Sequence, residues 1–203
     1  DGASTSMSNP SHTFAGYGTQ NIELIVTGAQ GCSDITTATL EIYPNPVADL
    51  SCLMVCQGTE SHLMNQSESF GDAISHYHWI TDGQEFFTEN PGHIFSTHGF
   101  HEVQLQVITA HNCQDSHSEN IEVDILPTAK FTYTNPCKSD VVTLTNQSNG
   151  NGKTIDSYLW DFGNGATSNL EELIYIYPAA GTYEITLNIT DQNGCEHAVT
   201  RTN

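Results

Sequence analysis

Tyr158-Leu-Trp-Asp-Phe-Gly-Asn-Gly165, followed sixteen residues after its last glycine by Gly181-Thr-Tyr-Glu-Ile-Thr-Leu-Asn-Ile189, decides the fold of this 203-residue chain. The first half alternates its aromatic residues inward along a strand and closes on an Asn-Gly turn. The second half sets Tyr183, Ile185, Leu187 and Ile189 at period two, on the side of a strand that faces a core.

The same spacing recurs upstream. Counting from the turn-closing glycine, Gly165 aligns with Gly83 and Gly2. Twelve residues on stand Tyr177, Phe95 and Phe14; sixteen on stand Gly181, Gly99 and Gly18. Ile185, Val103 and Ile22 follow at twenty, Leu187, Leu105 and Leu24 at twenty-two, and Cys195, Cys113 and Cys32 at thirty. A run of matches without an insertion marks a repeat array. Residues 1–45 read as the C-terminal half of a truncated repeat, 46–126 as a complete one and 127–203 as another. The truncated repeat lacks its Trp-bearing strand, so its remaining strands are not expected to fold by themselves. A neighbouring segment or chain is expected to cover their apolar edges.

Composition narrows the partners. Four Lys and Arg stand against 24 Asp and Glu, a net charge of −20 that disfavours nucleic acid and anionic membrane surfaces. No apolar run is long enough to span a membrane. The six cysteines contain no Cys-x-x-Cys pair, which favours disulfides over zinc and places the chain outside the cytosol. Strand-sized alternations bounded by Gly, Pro and Asn turns run from end to end, including one expected at His12-Thr-Phe14. Pro44-Asn-Pro46 and Leu126-Pro127 read as stiff hinges, so the repeats are expected to stack like a rod with small joints.

The residues of chemically capable types have simpler roles. His76 and His78 share the strand face opposite Trp79, where two imidazoles could hold zinc or copper, but the face is more readily a polar outer surface. Asp161 reads as an acceptor of turn hydrogen bonds. Trp79 and Trp160 read as core rather than as a sugar-stacking platform. No nucleophile motif or phosphate cradle is present, so no catalysis is expected.

Trp160-Asp161-Phe-Gly-Asn-Gly165 and Gly181-Thr-Tyr183 resemble the Trp-Asp-Phe-Gly-Asp-Gly and Gly-Thr-Tyr signatures of the polycystic-kidney-disease (PKD) domain, an immunoglobulin-like β-sandwich. Trp79-Ile-Thr-Asp-Gly83, with Gly99 sixteen on, is a departure that lacks the central Phe-Gly. With Val55-Cys56-Gln-Gly58, the array resembles the repeats of very large surface proteins of gliding, type-IX-secreting bacteria. The resemblance implies an all-β chain of sandwiches set end to end, in an extracellular, non-catalytic structural or adhesive module. The alternative it leaves is an accessory spacer or substrate-binding region of a secreted hydrolase. Implied partners are neighbouring repeats or copies of the chain, with surface polysaccharide or protein beyond them. No cofactor is implied other than calcium, for which Glu171, Glu172 and Asp72 are the carboxylates at hand.

Each complete repeat has one early and one late cysteine, so the obvious pairs are Cys56–Cys113 and Cys137–Cys195. The strand order of the resembled fold opposes them. The first strand carries the early cysteine about 25 Å from the end at which the late one turns, and a disulfide needs α-carbons within about 7 Å. Across a joint the bottom of one repeat meets the top of the next, which brings Cys56 to Cys195. Cys113 and Cys32 would then look to cysteines further upstream and Cys137 to one downstream, while Cys52 has no counterpart in the repeat.

Overall fold

The computed structural model describes residues 2–53, 55–134 and 141–202, and every regular element among them is a strand. β1 (Gly18–Thr27) and β2 (Ser33–Ile42) form a two-stranded antiparallel sheet. The middle repeat supplies β3 (Leu50–Cys52), β4 (Glu60–Asn65), β5 (Ile74–Thr81), β6 (Gln84–Phe86), β7 (Gly92–Ile94), β8 (Gly99–Thr109) and β9 (Gln114–Val123). The last repeat supplies β10 (Phe131–Tyr133), β11 (Val142–Asn146), β12 (Ile155–Asp161), β13 (Thr167–Ser168), β14 (Leu173–Tyr175), β15 (Glu184–Asp191) and β16 (Glu196–Thr202). The strand expected at His12-Thr-Phe14 does not form. Without a neighbouring ladder to take its backbone groups, extended chain of that length is not a strand. No described helix is long and apolar enough to cross a membrane.

The two complete repeats share one topology. Sheet orders β3-β4-β7 and β6-β5-β8-β9 in the middle repeat become β10-β11-β14 and β13-β12-β15-β16 in the last. Register agrees to the residue: Trp79 lies opposite Leu105, and Trp160 opposite Leu187. Even the irregularity is copied, between Ile74 and His76 and between Ile155 and Ser157. The glycines that anchor the repeat have a physical reason. Gly2, Gly83 and Gly165 have φ of 82°, 71° and 88°, a left-handed conformation that side chains with a Cβ resist.

Two compact units divide the chain. The first comprises Asp1–Ser51, Met64–Pro91 and Val103–Glu119, and contains the β1/β2 sheet and most of the four-stranded sheet of the middle repeat. The second comprises Cys52–Leu63, Gly92–Glu102 and Asn120–Asn203. In this unit both sheets of the last repeat close on one core of Ala129, Phe131, Val142, Leu144, Trp160, Phe162, Ile185, Leu187 and Ile189. Trp160 packs edge-on to Phe131 with ring centroids 5.1 Å apart, and its indole N–H donates to the Leu170 carbonyl at 2.8 Å. Burying one such side chain is worth about 1.5–3 kcal/mol, far more than the few tenths separating strand propensities.

Candidate functional site: the joint between repeats

The chemistry concentrated in this chain is structural and lies where the middle repeat hands over to the last, within the second compact unit. Cys56 and Cys195 are disulfide-bonded, with α-carbons 5.6 Å apart and a sequence separation of 139. Both are buried. The within-repeat pairing of Cys56 with Cys113 is therefore excluded, and so is that of Cys137 with Cys195. Cys137 itself lies outside the described residues. Cys32 and Cys113 are unbonded.

Local backbone chemistry aims the two sulfurs at each other. Cys56 makes an isolated parallel bridge to Asp124: the Asp124 N–H donates to the Val55 carbonyl at 2.8 Å, and the Gln57 N–H donates to the Asp124 carbonyl at 2.9 Å. On the other side, Asp191 shapes the turn that bears Cys195. Its Oδ1 accepts from the N–H groups of Asn193 and Cys195, each at 2.9 Å. Gly194 in this turn has φ of 82°. A short tight turn thus presents Cys195 to a pinned segment carrying Cys56.

Asp124 is the hub. Beyond its two backbone bonds, its Oδ2 accepts from Asn193 Nδ2 at 2.6 Å and its Oδ1 pairs with Lys153 Nζ at 3.0 Å. The bond to Asp124 holds the Lys153 ammonium above its ordinary pKa. Asn151 Nδ2 donates to the Leu126 carbonyl at 2.7 Å, which ties the hinge itself to the last repeat. None of these four residues stands out by motif. One signal was present: in a chain with only four Lys and Arg, Lys153 is a rare cation and its position invites a search for its acid.

The other expected site residues are accounted for locally. Trp79 and Trp160 are fully buried, as core residues should be. Asp161 Oδ1 accepts from the Gly163 N–H at 2.8 Å, which makes it a turn residue. Tyr183 stacks on Tyr177 at 4.1 Å and donates its hydroxyl to the Ala179 carbonyl. Burial foremost pushes the Tyr177 phenol up to about 12. Gly99, like Gly18, opens its strand with positive φ, whereas Gly181 does not and instead lies against the Tyr183 ring. His78 stacks on Phe87 and meets Glu85 Oε2 at 3.0 Å, while His76 meets the Ser75 hydroxyl. Asp72 pairs with His111, and Glu171 accepts from the Tyr158 hydroxyl. Among the described residues no three His, Cys, Asp or Glu gather as a metal set would require.

Tandem sandwiches of immunoglobulin-like topology, joined by a buried disulfide and a charge hub, define a class of modular β-repeat proteins. The model of the PKD domain matches residues 126–203, and this part of the chain belongs to the PKD-domain family. Its sequence is 41% identical over 71 residues to the pre-pro-metalloprotease PrtV of Vibrio cholerae serotype O1, covering 35% of this chain and 8% of that protein. It is 39% identical over 57 residues to a microbial collagenase of Vibrio alginolyticus, covering 28% of this chain and 7% of that protein. The crystal structure of the PKD1 domain of PrtV is 37% identical, with a TM-score of 0.37, and is matched over 95% of its length by 39% of this chain. The chain thus spans less than a tenth of the curated relatives it matches.

Proposed function

We propose that this chain is an extracellular spacer: a run of non-catalytic PKD repeats that holds other parts of a larger bacterial surface or secreted protein at a set distance. The observation that carries the reading is the Cys56–Cys195 bond with its Asp124 hub. A joint that only linked two independent modules would need neither a buried staple nor a rare lysine. A covalent clasp across Leu126-Pro127 resists separation of the repeats under load, as a stalk or adhesin requires. Partners on this reading are adjacent repeats, with surface polysaccharide or protein engaged by parts at the ends of the array.

A second reading has its own support. The matched relatives are named as a metalloprotease and a collagenase, so the chain would serve as the accessory region of a secreted hydrolase. One experiment separates the two. Residues 1–203 are replaced in the native protein by an unrelated sandwich array of equal length. Retained surface attachment supports the spacer. Lost activity on a polymeric substrate, together with binding of that polymer by the isolated chain, supports the accessory module.

A further inference from the structure

The β1/β2 hairpin has the register of the hairpin that closes each complete repeat. Ile22 lies opposite Ala38 and Leu24 opposite Thr36, as Ile185 lies opposite Arg201 and Leu187 opposite Val199. Ile185, Leu187 and Ile189 are fully buried in the last repeat, and so are Val103, Leu105 and Val107 in the middle one. Their counterparts Ile22, Leu24 and Val26 are 44%, 57% and 58% exposed. Among the described residues β1 also pairs with β2 alone, whereas β15 is flanked by both β12 and β16. The hairpin therefore offers an apolar face and an open edge at the positions that the front of a repeat fills elsewhere in this chain.

A second observation points to the same occupant. Cys113 is the repeat counterpart of Cys195, and its Sγ lies 3.9 Å from the Tyr43 carbonyl. Tyr43 is the counterpart of Asp124, whose backbone pins the segment carrying Cys56. The joint is prepared in the same way on one side. Tyr43 stacks on His111 at 3.4 Å, where Asp124 bonds Asn193, the counterpart of His111. Cys32 cannot fill the vacant role. It lies at the turn end of the hairpin, a ten-residue strand away from Tyr43 and so on the order of 30 Å distant.

We propose that the β1/β2 face and Cys113 together receive one segment, the front half of a repeat lying ahead of residue 1 in the same polypeptide. Its tryptophan-bearing strand pairs along β1 with the indole opposite Leu24, as Trp160 lies opposite Leu187. Its early cysteine, in a Val-Cys-x-Gly setting, pairs beside Tyr43 and bonds Cys113. The bond forms by exchange: the two thiols give up two protons and two electrons to a protein disulfide donor, which leaves as a dithiol. One segment thus meets both needs, since the segment carrying Cys56 belongs to a front half seated on its own closing hairpin.

The test uses the full-length native protein, purified without reductant, denatured, alkylated and digested for mass spectrometry. The expected result is the Cys113 peptide joined to a peptide from ahead of residue 1, with the intact protein running as a monomer. Alkylated Cys113, or Cys113 bonded to Cys32, Cys52, Cys137 or a second copy, overturns the proposal. Hydrogen exchange supplies an independent reading. In a chain lengthened upstream by one half-repeat, β1 amides are expected to exchange on the order of a hundredfold more slowly than in the 203-residue chain. Leu24→Asp should lower the thermal midpoint of the lengthened chain and leave that of the 203-residue chain unchanged. Equal exchange in both chains, or equal response to Leu24→Asp, refutes the seating.

Discussion

Replacing Cys56 and Cys195 together by alanine removes the covalent clasp with little change in buried volume. Its worth follows from the length of chain that the bond constrains. With the cysteines at a sequence separation of 139, the loop-closure relation gives about 5 kcal/mol when the whole loop unfolds. If the last repeat opens by itself, the constrained length runs from the hinge to Cys195, roughly 70 residues, and the same relation gives about 4 kcal/mol. The two figures are close because the cost grows only with the logarithm of length. For a domain of this size the thermal midpoint should fall by about 15–30 °C. The assay is urea and thermal unfolding followed by near-ultraviolet circular dichroism, which reports the packed Trp79 and Trp160. Each single substitution should cost nearly as much as the pair, because either one breaks the same bond. A loss below about 1 kcal/mol, or single losses that add to the double, would refute the claim that the bond constrains the unfolded chain.

Three further outcomes can be checked on the same chain. Trp160→Ala, which empties the centre of the last core and frees the Leu170 carbonyl, should cost about 3–5 kcal/mol in urea titration. Gly163→Ala and Gly165→Ala should differ although both residues have positive φ. A Cβ at Gly163 would meet the Glu184 carbonyl oxygen at 2.5 Å, while one at Gly165 meets nothing. The first should therefore unfold or severely weaken the last repeat and the second cost about 1 kcal/mol, both read by thermal melts. The Thr109 hydroxyl first, and His111 next, hold the Asp72 carboxyl below its ordinary pKa. Its contribution is therefore present at neutral pH and is lost as pH falls through the ordinary carboxylate range to the folded value. Urea midpoints should show Asp72→Asn less stable than the parent at pH 6, with the gap closing as pH falls below the ordinary carboxylate range.

The sequence by itself determined the strands, their repetition and their inward faces. Period-two alternation and left-handed glycines are local properties, set by residues within a few positions of one another. Trp79, Trp160, Leu105 and Leu187 were therefore legible as core, and Asp161 as a turn acceptor, before any contact was known. The two-residue β13 was not legible, because a pair of polar residues has no period to read. The strand at His12-Thr-Phe14 failed for the complementary reason: its alternation was local, but a strand exists only against a neighbour. The pairing of Cys56 with Cys195 stood between these cases. Spacing alone favoured partners within a repeat, and only the strand order of a known fold turned the choice across the joint. The Asp124 hub was left wholly to the tertiary structure. Lys153, Asn193 and the backbone of Val55 and Gln57 come from three separate segments with no shared period. They meet only through the folded backbone around Asp124, and distance in the chain carries no trace of that meeting.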